Sequence, residues 1–345
     1  MNKTKIAIIL RKYPFGGAER QALLIIETLK KKNCEVEIFS IEGEGISYEH
    51  KCKVIGLNQK LVGLSLSPPK LFRNIKLYKT LFKLINNKYE IVITYTQLYL
   101  VGIIFNKLKT CISIRMFYPN TKNFFRLFLL KKFDMIITNN FPQFSLLSSL
   151  KIKSIFVNNV IKENIIPFKK VNNEKFKCLV ISNYSQRKNI EIILKAFQQI
   201  DIKSFELTII GEIKFNKKSL EIYNQENIHW LGYISPELIK KYYQQSNCLI
   251  HASLREGASN AILDAMNYRL PIIASNIPEN ISLIGNNINF LFNTSNANDL
   301  AKKIEYLNSL KNSNYISDYL DFQKMKIKND YSIKNNEDFV KKLLQ

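Results

Sequence analysis

The chain has 345 residues, 46% of them hydrophobic, and carries 51 Lys/Arg against 28 Asp/Glu for a net charge of +23. That length and apolar fraction support two buried cores and exclude a disordered or fibrous chain. Five scattered cysteines (Cys34, Cys52, Cys111, Cys178 and Cys248) without C-x-x-C spacing speak against a disulfide framework or a zinc site and for reduced thiols in a cytosolic setting.

The N-terminal run Ile6–Leu10 follows a basic start but is too short for a secretory leader, and it reads as a first strand. Gly16 and Gly17 come next, where paired glycines let backbone amides approach a phosphate or a sugar. A helix is predicted over Ala18–Lys31, with Glu19 and Arg20 as a surface pair, and strands over Val36–Ser40, Ile91–Tyr95, Cys111–Ile114 and Met135–Thr138. The longest apolar region, Ile91–Phe105, is interrupted by Thr94, Thr96 and Gln97, so no membrane span is expected.

Charge is uneven. Residues 1–168 hold 27 Lys/Arg and 10 Asp/Glu, and from Lys60 to Lys132 there are 14 bases against one acid, Glu90. Within that stretch Lys70–Leu84 reads as a helix, and it and Lys122–Lys132 mix aromatic residues with cations, a composition suited to a helix on an anionic membrane surface. The charge also suggests a nucleic-acid binder, but no reader motif accompanies it, and carboxylates stand among the best-organised residues.

The polar segment Lys162–Lys177 reads as a linker, after which the strand–helix alternation restarts. Strands are predicted over Lys177–Ser182, Phe205–Gly211, Ile228–Leu231, Cys248–Ala252, Ile272–Ala274 and Phe290–Phe292. Helices are predicted over Glu191–Gln199, Pro236–Gln245, Asn260–Met266 and, last, Asn335–Leu344. The pattern is α/β with parallel sheets, and no fixed-period repeat is present. His50, His229 and His251 read as packed or surface side chains, and Trp230 as core.

The most informative segment is Ser253–Pro271. Glu256 precedes the small turn Gly257, Ala258, Ser259, Asn260, and Asp264 falls about one turn into the helix that follows. Strand, acidic turn, helix, strand is a unit that binds ligands at the carboxyl ends of a parallel sheet. The turn's amides are expected to be free and, with the helix dipole, to favour an anion.

E-G-A-S-N-A-I-L-D-A-M, residues 256–266, resembles the glutamate-x7-glutamate signature of retaining glycosyltransferase family 4, with Asp264 replacing the second glutamate. The resemblance implies a GT-B fold: two Rossmann-like domains facing across a cleft. Residues 1–165 would bind the acceptor, 166–325 the nucleotide-sugar, and 326–345 would form a helix crossing back to the first domain. G-G-A-E-R, residues 16–20, resembles that family's first loop. Ile181–Asn189 resembles its diphosphate loop: Lys188 matches the lysine, Ser182 and Asn183 replace Gly and Arg, and Arg187 stands next to the lysine. Tyr233 and Ile234 fall in the segment beside the nucleotide base. Where the family places a first-domain histidine, this chain has Tyr95 and Arg115.

By the same resemblance, Glu256 would hold the transferred sugar, Asp264 the ribose and Lys188 the phosphate charge; either the histidine's role is dispensable here or Arg115 adds charge near the phosphate. The expected activity moves a hexose or N-acetylhexosamine from a UDP-sugar to a lipid-linked or surface-polysaccharide acceptor. It would act at the inner face of the cell membrane, without cofactor or nucleic acid. No D-x-D motif occurs, so no metal is expected. Asp264, Asn183 and the replaced histidine also fit a homologue that binds sugar nucleotides without turning them over.

Overall fold

The computed structural model describes residues 3–13, 16–49, 52–61, 74–115, 124–162, 174–183, 185–212, 223, 225–310 and 313–345. His50, Tyr184 and residues 70–73, 122–123 and 163–173, on which parts of the expectations above fall, lie outside the described residues. The chain forms two units, Met1–Val160 with Ile333–Gln345, and Ile161–Ser332.

In the first unit the strands are β1 (Lys5–Leu10), β2 (Glu35–Ser40), β3 (Ile46–Glu49), β4 (Cys52–Gly56), β5 (Ile91–Thr94), β6 (Lys109–Ile114), β7 (Met135–Thr138) and β8 (Ile155–Phe156). They form one sheet in the order β3-β4-β2-β1-β5-β6-β7-β8, parallel except for the antiparallel edge pair β3–β4. Both faces of β1 are buried, as its unbroken apolar run requires. Ile6, Ile8 and Leu10 point into a core closed by α1 (Gly17–Lys31). Ala7 and Ile9 point to the opposite core, closed by α2 (Ile75–Ile85), α3 (Val101–Ile104), α4 (Phe124–Leu130) and α5 (Phe141–Ser149).

In the second unit the strands are β9 (Phe176–Ile181), β10 (Phe205–Ile210), β11 (Ile228–Gly232), β12 (Cys248–His251), β13 (Ile272–Ser275) and β14 (Leu291–Phe292). All pair in parallel in the order β11-β10-β9-β12-β13-β14. Counted within the unit this is 3-2-1-4-5-6, the doubly wound Rossmann order, which reverses between β9 and β12. The helices are α6 (Ile190–Phe197), α7 (Pro236–Gln245), α8 (Asn260–Asn267), α9 (Pro278–Ile284), α10 (Ala297–Ser309) and α11 (Asn314–Asp330). Cys178 and Val180 of β9 face the core under α6 and α10, and Leu179 faces the one under α8 and α9.

The last helix, α12 (Lys334–Leu344), packs on α1, with Phe339, Val340 and Leu343 buried in the first unit's core. The boundaries differ from those expected at 165/166 and 325/326. The chain leaves the first unit at Val160, and Ile161 pairs with Ser332, so both crossings fall side by side. Residues 326–330 belong to α11, whose Ile327 is buried in the second unit's core, and not to the returning helix. Strands β3, β4 and β8 and helices α3, α5, α9, α10 and α11 were not anticipated. Among the described residues, no helix is long and apolar enough to cross a membrane.

Candidate functional site

Where the strand order reverses, the connections from β9 and β12 run to opposite faces of the sheet and leave a crevice at their carboxyl ends. The chain leaving β9 passes Ser182 and Asn183 and forms a single 3-10 turn, Gln186–Lys188. It enters α6 through Asn189 at φ 50, a left-handed conformation that asparagine tolerates. The chain leaving β12 runs through Ser253 and Glu256 to α8. Leu254 donates its amide to the Arg187 carbonyl at 2.8 Å and ties the two loops together. Gly211, after β10, sits at φ +136, and a Cβ there would lie 2.1 Å from the Ser182 carbonyl oxygen. Only glycine permits that approach.

The two loops meet at Glu256, which is buried. One carboxylate oxygen accepts from Lys188 Nζ at 2.6 Å and from Ser253 Oγ at 2.6 Å; the other accepts from Arg187 Nη1 at 2.9 Å. Burial by itself would raise this carboxyl, but Lys188, His251 and Arg187 outweigh it and hold the pKa at about 2. His251 Nε2 lies 2.9 Å from Ser259 Oγ and 3.6 Å from Glu256. Burial depresses the His251 pKa to about 4, against the pull of Glu256, so the imidazole is neutral at pH 7. The two cations therefore keep Glu256 ionised at that pH.

A further row of hydrogen bonds supports the turn. Ser275 Oγ donates to the Ser253 carbonyl at 2.5 Å, and Asn280 Nδ2 donates to Ser275 Oγ at 2.9 Å. Buried Glu279 accepts the Glu256 amide at 3.1 Å, and burial raises its pKa. Ser253, Ser275, Glu279 and Asn280 were not singled out from the sequence, and His251 was read only as a packed or surface side chain. Polar residues that hydrogen-bond within a turn follow no periodicity that would mark them.

The structure thus brings Arg187, Lys188 and Glu256 together and places the rest of the expected set around them. Gly257 is buried, and Ser259 caps α8, its Oγ accepting the Ile262 amide at 3.4 Å. Ala258, Asn260 and Asp264 are half-buried, Asn183 and Tyr233 are exposed, and Ile234 packs against the core under α8. On either side of the turn Gly257–Asn260, Glu279 takes the Glu256 amide and Ser259 that of Ile262.

The first unit has its own reversal, between β1 and β5. Exposed Gly16, at φ +122, and Gly17 begin α1, but Glu19 folds back over that start: a Cβ on Gly16 would lie 2.3 Å from Glu19 Oε2. Glu19 is buried and not the surface residue expected, and burial raises its pKa against Arg115 and Arg11. Arg115 follows β6. Its guanidinium lies 4.9 Å over the Tyr95 ring and donates to Ser113 Oγ at 3.0 Å and to Asn159 Oδ1 at 2.6 Å. It feels Glu19 through space without forming an ion pair with it. Among the described residues no three His, Cys, Asp or Glu side chains group as metal ligands.

Residues 161–319 match the family model of glycosyl transferases group 1. A 41.2 kDa protein of the cps region of Klebsiella pneumoniae is 25% identical over 181 residues, 47% of this chain and 49% of that protein. The serotype-specific mannosyltransferase WbdA of Escherichia coli is 29% identical over 135 residues, 37% of this chain and 16% of that enzyme. The chain therefore spans about half or less of the curated relatives it matches. A glycosyltransferase from Rickettsia africae superposes over 100% of both chains with TM-score 0.75 and 20% identity. HepE of Anabaena in complex with UDP-glucose covers 99% of both with TM-score 0.73 and 16% identity. The whole chain has the GT-B fold, and its second unit matches the group 1 glycosyl transferases.

Proposed function

We propose that this protein is a retaining glycosyltransferase of the family 4 type. It moves a hexose or N-acetylhexosamine from a UDP-sugar to a lipid-linked or surface-polysaccharide acceptor. The observation that carries the reading is the meeting of Arg187, Lys188 and Glu256 where the second sheet reverses. A nucleotide-sugar needs two things at one place: positive charge for a diphosphate that becomes more negative as the glycosidic bond breaks, and a carboxylate to hold sugar hydroxyls. Arg187, Lys188 and the start of α8 supply the first, as preorganised stabilisation of the leaving group. Glu256, held ionised by those cations, supplies the second.

Asp264, one turn into α8, takes the ribose, and Asn183, Tyr233 and Ile234 flank the rest of the nucleotide. Gly16 and Gly17 offer backbone amides for a phosphate or a sugar, and the first unit, with Arg115, receives the acceptor. The acceptor oxygen attacks the face that the diphosphate leaves, and a donor phosphate oxygen takes its proton. No enzyme nucleophile and no metal are required. The donor class is supported by HepE, solved with UDP-glucose, and the glycan class by relatives named for a cps region and for serotype-specific mannosyl transfer. Incubation with UDP-sugars and a polyprenyl-phosphate-linked sugar should release UDP and lengthen the acceptor. Binding without UDP release in any pairing would reduce the protein to a sugar-nucleotide binder.

A further inference from the structure

Helix α4 has already spent its inward face. Leu129 and Leu130 are buried in the core shared with α2 and α3, and this leaves Phe124, Phe125 and Phe128 outside at 80%, 48% and 52% exposure. Single exposed apolar residues are ordinary, but three aromatic rings at i, i+1 and i+4 of one short helix form a patch. Exposed Ile103 of α3 and Phe82 of α2 extend it over the same helix layer. Exposed lysines stand on and beside the same helices: Lys76, Lys79 and Lys83 on α2, and Lys131 and Lys132 after α4, with Lys132 Nζ 5.0 Å from the Phe128 ring centroid. From residue 91 to 133 there are seven Lys/Arg and no Asp/Glu.

We infer that the outer face of the α2–α3–α4 layer docks on an anionic lipid bilayer, with Phe124, Phe125 and Phe128 seated below the headgroups. Large apolar side chains bordered by cations in large excess over acids, with Asp134 after Lys132 and Glu90 at the margins, match a surface that is negative outside and apolar beneath. A protein partner of ordinary mixed charge would call for acids as well as bases in the patch. Helix α4 lies in the connection between β6, which Arg115 follows, and the parallel strand β7. The inference rests on the lipid-linked form of the proposed acceptor for its purpose, but its test uses no transfer.

The test is co-sedimentation with phosphatidylglycerol-containing vesicles and with phosphatidylcholine vesicles. Wild type should bind the anionic vesicles at least about tenfold more tightly, and raised salt should weaken that binding. Phe124→Ser/Phe125→Ser/Phe128→Ser should lose at least about tenfold in affinity for them while keeping the wild-type melting temperature. Phe125→Trp adds a second readout, because Trp230 is the only native tryptophan. Its emission should shift to the blue on anionic vesicles while the wild-type spectrum stays put. Equal binding of the triple variant, an unshifted Phe125→Trp spectrum, or a wild-type dimer that the triple variant converts to monomer would overturn the inference. Donor binding measured without vesicles decides the transferase reading separately.

Discussion

The two sheet reversals carry the same kinds of group in opposite arrangements. In the second unit one ionised carboxylate is gripped by two cations and a serine, and the pKa of Glu256 falls to about 2. In the first unit the carboxylate of Glu19 covers the start of α1, its pKa goes up, and Arg115 rests on neutral oxygens and a ring. Direct pairing outweighs desolvation at Glu256, whereas the through-space pull of Arg115 and Arg11 does not outweigh it at Glu19. The second reversal holds two cations paired directly with one ionised carboxylate, while the first holds a covered carboxylate on which Arg115 and Arg11 act at a distance.

Removing the gripped carboxylate should separate the two sites most sharply. Glu256→Ala is expected to lower transfer by about 10³-fold with the fold intact, while Glu19→Gln should cost less than tenfold; initial rates at saturating donor measure both. Near-normal turnover by Glu256→Ala would erase the distinction. Acidification comes next. The folded pKa of His251 is depressed to about 4, so its stabilising contribution is complete above pH 6.5 and is lost as pH falls toward 4. A shift of that size corresponds to about 3 kcal/mol. Glu256 follows the same sign lower down, losing its contribution as pH falls from 4.5 through about 2. Urea titrations should show His251→Gln flattening the upper window alone.

Smaller effects test the backbone. Gly211→Ala forces a Cβ onto the Ser182 carbonyl and should destabilise by at least about 2 kcal/mol, shown by a lower urea midpoint. Gly16→Ala meets only the end of the flexible Glu19 side chain, together with an unfavourable φ. About 1 kcal/mol is expected there, with Glu19 displaced from the start of α1.

Much of this was legible in the chain. The apolar runs marked both parallel sheets, and the segments around Lys188 and Glu256 marked the loops that meet at the second reversal. Their contact was not legible, because residues 68 and 69 positions apart are joined only by the strand order. Glu19 misled because almost every face of α1 is buried, so helical phase does not tell a surface acid from a covered one. Helix α11 could have been found: Ile316, Tyr319, Leu320, Gln323 and Ile327 fall on one helical stripe, but a glutamine interrupts its apolar signal. The double crossing at Ile161 and Ser332 depends on a pairing between distant residues that neither local sequence announces.

Whether the cations beside Glu256 receive a sugar nucleotide's diphosphate is decided by calorimetric titration of UDP-sugars and GDP-sugars into wild type, Lys188→Ala and Arg115→Ala. A UDP-sugar should bind wild type and Arg115→Ala alike and lose about tenfold or more in affinity for Lys188→Ala. Undiminished binding to Lys188→Ala, or no binding of either nucleotide class to wild type, would show that they do not.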